Sequence, residues 1–139
     1  MTDDMLLIDT SAWILALRKR PDLSVKARVE ELMDANRIAI IPLIFVELLG
    51  GVNTETEFQR LKHRLNSLKQ IQLTKRDWEA IALNAFKLRR RGITIPYIDI
   101  IIGTAAAINK MVLLTADNHF NLMAKEISLK VENIQEEMQ

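Results

Sequence analysis

The stretch Leu6-Leu7-Ile8-Asp9-Thr10-Ser11-Ala12-Trp13-Ile14 constrains the fold more than any other part of the chain. An uncharged apolar run reads as a strand buried on both faces, and this one ends abruptly on an acid followed by two hydroxyls. Residues 12–17 carry good helix formers. Asp9 is therefore expected at the carboxyl end of a parallel strand, where the chain turns into a helix. In open α/β sheets that edge is where ligands and chemistry collect. What matters next is whether other acids arrive at the same edge.

Further along, strand and helix signals alternate. The first helix begins near Ser11 and ends around Arg18-Lys19-Arg20, before Pro21. Ser24 is placed to cap a second helix, whose apolar positions are Val25, Val29, Leu32 and Met33. Residues 37–41 read as a buried strand closed by Pro42, and residues 43–49 as a helix stopped by Gly50-Gly51. Thr54 and Glu57 make a capping-box pair for a helix reaching about Leu68, and residues 71–73 are a short strand candidate. Thr74 with Asp77 starts the next helix, with Trp78, Ile81, Ala82, Ala85 and Leu88 on one face and Gly92 as its stop. After an irregular segment around Pro96, Asp99 opens a very apolar helix over residues 100–108. Residues 111–115 form a third strong strand that runs into Ala116-Asp117, followed by a short helix through Leu122 and Met123 and a last strand near residues 128–131. The end, residues 135–139, reads as frayed. This alternation predicts a three-layer α/β domain with a mostly parallel central sheet flanked by helices.

Bulk composition narrows the class. A chain of 139 residues with 49% hydrophobic and 27% charged residues is expected to form one globular domain over residues 1–139. Without cysteine, disulfides, thiolate metal sites and thiol catalysis are excluded. The start, Met1-Thr2-Asp3-Asp4, is acidic where a secretory signal is basic, so a cytoplasmic location is expected. The longest apolar run, residues 38–46, is too short to span a membrane and contains Pro42.

Four acids stand out. Asp9 and Asp117 both follow apolar strands, and neighbouring parallel strands would turn both carboxylates into one crevice. Asp99 sits at a helix N-terminus, where the dipole favours the ionised form. Glu47 lies inside an otherwise apolar helical turn, where a lone charge is costly without a partner. No lysine or arginine lies within five residues of Asp9, Glu47 or Asp99. Such a set repels itself and becomes favourable when a hard, oxygen-seeking divalent cation joins it, Mg²⁺ or Mn²⁺. Each acid also has an ordinary alternative: Asp9, Asp99 and Asp117 as helix caps, Glu47 as an acid reaching solvent at a helix edge.

The segments Ile8-Asp9-Thr10-Ser11-Ala12, Phe45-Val46-Glu47-Leu48, Ile98-Asp99-Ile100-Ile101-Ile102-Gly103-Thr104-Ala105-Ala106 and Leu114-Thr115-Ala116-Asp117-Asn118-His119-Phe120 resemble, in order and spacing, the motifs of the PIN-domain ribonucleases, and within them the VapC-type toxins of toxin–antitoxin pairs. The resemblance covers nearly the whole chain; its first and last segments are the more specific. The one departure, Gly103-Thr104 in place of a more usual small-residue pattern, touches no ligand position. The resemblance implies Mg²⁺-dependent hydrolysis of RNA by Asp9, Glu47, Asp99 and Asp117, with Ser11 or Thr115 supporting the site. It also implies a cognate antitoxin that blocks the site, and a homodimer.

Positive charge gathers at Arg18-Lys19-Arg20, at Arg60, Lys62, His63, Arg64 and Lys69, and at Lys87 with Arg89-Arg90-Arg91. These groups suit RNA phosphates, although basic residues at a helix C-terminus also complement its dipole. Arg18, Lys19 and Arg20, just past the helix that follows Asp9, are the favoured RNA contacts. His119 and His63 read as packing or surface residues, Trp13 and Trp78 as core. A receiver-type phosphoryl-transfer domain also gathers acids at this edge, but the chain offers no lysine in the required place after residues 113–115. A non-catalytic module binding RNA or protein is the other alternative, and it would be marked by loss of an acid.

Overall fold

The computed structural model of the protein describes residues 4–137. The acidic start at residues 1–3 and residues 138–139 lie outside them; residues 135–137, expected to fray, are helical. β1 (Leu6–Ile8) leads through α1 (Thr10–Leu17) and α2 (Leu23–Asp34) to β2 (Ile38–Ile40). α3 (Pro42–Gly50) and α4 (Glu55–Asn66) precede β3 (Lys69–Gln70). α5 (Lys75–Arg90) and α6 (Tyr97–Ile108) come before β4 (Val112–Thr115), and α7 (His119–Ala124), β5 (Lys130–Asn133) and α8 (Ile134–Glu137) follow.

The five strands form one sheet in the order β3-β2-β1-β4-β5, and every neighbouring pair is parallel. The result is a three-layer α/β fold. β1 and β4 read as continuous apolar runs because both lie inside: Leu7, Ile8, Leu113 and Leu114 are almost wholly buried. The chain first builds outward from β1 through β2 to β3, then returns to add β4 and β5 on the other side. Strand order therefore reverses between β1 and β4, the place where an open sheet leaves a crevice at its carboxyl edge.

Local chemistry explains the helix boundaries. The Asp9 carboxylate accepts from the Ala12 amide at 3.2 Å and caps α1. Pro42, which needs no donor, occupies the first position of α3. Thr74 and Asp77 form the full reciprocal capping box of α5, and Gly92, at φ +74°, ends that helix in the left-handed conformation. Thr54 makes only its own half of the expected box, accepting from the Glu57 amide.

Four expectations are corrected. α2 is capped by Asp22 rather than Ser24: the Asp22 carboxylate takes both the Ser24 and Val25 amides, starting the helix earlier. The third strand lies at Lys69–Gln70, just before the expected residues 71–73, because an exposed edge strand needs ladder bonds rather than burial. The last strand lies at Lys130–Asn133, two residues beyond the expected 128–131, in the register that pairs Thr115 with Asn133. Trp13 is core as expected, but Trp78 is 47% exposed, since the buried stripe of α5 runs through Ile81 and Leu88 and leaves Trp78 at its margin.

Gly103 lets α6 approach α7 closely. A Cβ there would clash with the Met123 sulfur and touch the Leu129 side chain, and Met123 is itself fully buried. Gly103→Ala is expected to destabilise by about 1–3 kcal/mol. In chemical denaturation the pair Gly103→Ala with Met123→Ala should cost less than the two single changes added together. Strict additivity would contradict this packing.

Candidate metal centre at the carboxyl edge

Asp9 leaves the end of β1 and is only 4% exposed. A carboxylate so deeply placed must spend its lone pairs on donors, and it does. Its Oδ1 accepts from the Ser11 hydroxyl at 2.8 Å and from the Ala12 amide, and its Oδ2 accepts from the Thr115 hydroxyl at 2.9 Å. Burial nevertheless pushes the Asp9 carboxyl up to about 6, against the pull of these hydrogen bonds, with the nearby Asp117 carboxylate adding a smaller upward push. The same carboxylate thus caps α1 and feels the charge of Asp117.

β4 is the hydrogen-bonded neighbour of β1, and the chain beyond it brings Asp117 to the same crevice. Thr115 joins the two acids: its hydroxyl donates to Asp9 and accepts from the Asp117 amide at 2.9 Å. Ser11 braces the same turn by accepting from the Ala116 amide at 3.0 Å. From β5, the buried Asn133 amide group donates to the Asn121 and Asn118 side-chain oxygens, holding the loop that carries Asp117.

Asp99 enters from α6. The helix starts at Tyr97 rather than at residue 100, after Pro96, so Asp99 lies within the first turn instead of capping it. Burial raises the Asp99 carboxyl above its ordinary value; His119 opposes this, and the Asp117 charge adds to it. Asp117 is therefore the acid that both other carboxylates feel.

Between Asp99 and Asp117 stands His119. Its Nδ1 lies 2.9 Å from Asp99 Oδ2 and 3.3 Å from Asp117 Oδ1, while its backbone amide donates to Asp117 Oδ1. The expectation that His119 merely packs or faces solvent is not what the structure shows. The clue in the sequence was its position two residues beyond Asp117, where a helix start turns a side chain back over the preceding acid. One donor atom each from Asp99, Asp117 and His119 lies within 4.8 Å of the others.

Glu47 stands outside that trio. Its Oε1 accepts from the Thr10 hydroxyl at 2.8 Å, which ties α3 to the residue after Asp9. Thr10 is the first of the two hydroxyls after Asp9, and its partner lies 37 residues away, beyond the reach of local sequence pattern. Arg18, Lys19 and Arg20 follow the far end of α1, about 12 Å along the helix axis from Asp9.

The donor set suits a divalent cation. It consists of carboxylate oxygens and one imidazole, and among the described residues no lysine or arginine forms an ion pair with Asp9, Glu47, Asp99 or Asp117. Carboxyls held above their ordinary values beside one another are relieved when a cation joins them. An oxygen-rich set with one imidazole is open to Mg²⁺ and well suited to Mn²⁺.

Comparison with known proteins bears on the fold and the family. The sequence profile of the PIN domain matches residues 6–126. No curated protein matches the chain. Among solved structures, VapBC2 from Rickettsia felis, bound to a DNA fragment from their promoter, aligns with a TM-score of 0.71 at 24% identity, over 93% of this chain and 98% of that one. FitAcB from Neisseria gonorrhoeae aligns with a TM-score of 0.75 at 18% identity, over 93% and 97%. VapBC-5 from Mycobacterium tuberculosis, a member of the VapBC family of toxin-antitoxin systems, aligns with a TM-score of 0.65 at 18% identity, over 96% and 100%.

Proposed function

We propose, from the premise that this chain belongs to the PIN domain family, that it is a Mg²⁺-dependent endoribonuclease, the toxin of a type II toxin–antitoxin pair. The observation that carries the reading is the placement of Asp9, Asp99 and Asp117 at the crevice where strand order reverses, with Asp117 raising both of the others and no basic side chain paired to any of them. Asp9, Asp99, Glu47 and Asp117 would hold the cation. When bound, Mg²⁺ or Mn²⁺ supplies Lewis-acid chemistry, neutralising charge on a phosphate and making nearby water more acidic.

The chain's own residues prepare the ground. Ser11, Thr115 and the Ala12 amide fix the Asp9 carboxylate in one orientation, so no reorganisation is needed at the moment of reaction. Thr10 does the same for one Glu47 oxygen. His119 holds the Asp99 and Asp117 carboxylates toward a common point.

The partners follow from the same reading: an RNA substrate, a cognate antitoxin that covers the site, and a second copy of the chain. Likeness to structures of VapBC complexes supports the antitoxin. Among the described residues no helix is long and apolar enough to cross a membrane, which is compatible with action in the cytoplasm.

The test is 5′-end sequencing of total cellular RNA incubated with the protein and Mg²⁺, with a parallel reaction in EDTA. Sharp new ends that vanish in EDTA are expected. Ends that persist in EDTA would remove the cation from the reading. No new ends together with no Mn²⁺ binding would favour the non-catalytic module.

A further inference from the structure

α5 and α6 pack antiparallel. Asn84 on α5 donates to Thr104 on α6 at 3.1 Å, while Arg89, further along α5, lies over Tyr97 at the start of α6. The C-terminal end of α5 therefore reaches the same edge as Asp99, which follows Tyr97 by two residues in the first turn of α6.

That end is built unlike an ordinary helix terminus. Phe86 and Tyr97 are 59% and 58% exposed, large aromatic rings left to solvent where burial would have stabilised the fold. Each carries a guanidinium 5.7 Å from its ring centroid, Arg90 over Phe86 and Arg89 over Tyr97. Lys87, Arg89 and Arg90 have no ion-pair partner among the described residues; only Arg91 is paired, to Glu126 at 2.7 Å. Phe86, Lys87, Arg90 and Glu126 line a groove of about 360 Å³, while Arg89 and Tyr97 line a second hollow of about 150 Å³. Complementing the α5 dipole accounts for basic residues here. It does not account for two exposed aromatic rings interleaved with them.

Unneutralised arginines attract a polyanion, and exposed rings offer faces to unpaired bases. A folded protein partner would need apolar area without this surplus of positive charge, and a duplex would keep its bases stacked away from the rings. We propose that the end of α5 and the first turn of α6 bind a single-stranded segment of RNA, with Arg89 and Arg90 on its phosphates and Phe86 and Tyr97 stacked on its bases. This rests on the nuclease reading and adds to it the surface that presents the strand. It also moves the principal RNA contact from the cluster at Arg18 to the neighbourhood of Asp99.

Fluorescence anisotropy in EDTA separates binding from cleavage. The probes are a labelled, unstructured 14-nucleotide RNA of mixed sequence and the matching 14-base-pair RNA duplex. Phe86→Ala and Tyr97→Ala, both at exposed positions, should each weaken binding of the single strand about tenfold and leave the melting temperature unchanged. Binding of the duplex should change little. Arg89→Gln with Arg90→Gln should flatten the dependence of log affinity on log salt by about 1.4.

Wild-type affinity in all of these variants would overturn the proposal, as would loss of binding only in Lys19→Gln with Arg20→Gln. A change in oligomeric state on sedimentation without a change in RNA affinity would instead make this face a protein interface. If the wild-type chain cuts RNA with Mg²⁺ while the four changes alter neither binding nor cutting, the surface fails and the nuclease stands. If the wild-type chain neither binds nor cuts, both fail.

Discussion

Asp9→Asn is expected to lower RNA cleavage about a thousandfold or more while the chain keeps its fold. The carboxylate lies at the end of the central strand, and every polar contact around it is a donor aimed at its two oxygens. Asparagine matches its shape. The amide oxygen can keep the Ser11 and Ala12 bonds, and the amide nitrogen can donate to Thr115 once that hydroxyl turns its proton toward Ser11, 3.3 Å away. What disappears is the negative charge that a cation needs. Initial rates of cleavage, read beside the far-ultraviolet circular dichroism of the same preparations, check this. A folded Asp9→Asn protein that cuts at the wild-type rate would remove Asp9 from the reaction.

Stability should fall as pH rises in the metal-free protein, opposite to the usual behaviour of a carboxylate held by a cation. The Asp9 carboxyl titrates at about 6 in the folded chain, against 3.8 for an ordinary aspartate. Between those values the unfolded chain has lost the proton and the folded chain still holds it, so each step upward in pH favours unfolding. The full contribution is about 3 kcal/mol, complete above roughly pH 6.5. Asp99 shifts in the same direction and adds to the slope. Urea melts in EDTA from pH 4 to pH 8 should show the decline, and Asp9→Asn should flatten most of it. At pH 7.5, Mn²⁺ should restore stability to the wild-type chain and do far less for the variant. Stability that rises between pH 4 and pH 6.5 in EDTA would mean that Asp9 is ionised in the fold without any cation.

The parts of the fold legible in the sequence are those whose signal is burial. β1 and β4 announce themselves because a strand covered on both faces needs an unbroken apolar run, with an acid directly after β1 and two residues after β4. β3 does not, because it lies at the sheet edge with both residues exposed, and only ladder bonds to β2 define it. Helix starts followed capping chemistry at Thr74, whereas at α2 the expected Ser24 yields to Asp22, whose carboxylate reaches two amides.

In the site, Asp9 and Asp117 could be placed together from strand ends alone, given neighbouring strands. The nearness of His119 to Asp117 was legible too, but its contact with Asp99 and that of Thr10 with Glu47 were not, since each joins residues remote in sequence. The exposed rings of Phe86 and Tyr97 were equally invisible, because exposure depends on which stripes of α5 and α6 face each other.

The sheet order also bears on how the chain acquires its activity. Asp9 follows β1, yet one of the two hydroxyls that orient it comes from Thr115, 106 residues later, and Asp117 comes later still. Local helices can form early, but pairing of β1 with β4 closes a very long loop and belongs to the slow, non-local part of folding. During synthesis, which adds roughly 5–20 residues each second, β1 waits several seconds for that neighbour. A nascent chain that ends before β4 carries Asp9 without Thr115 and Asp117 and cannot assemble the centre.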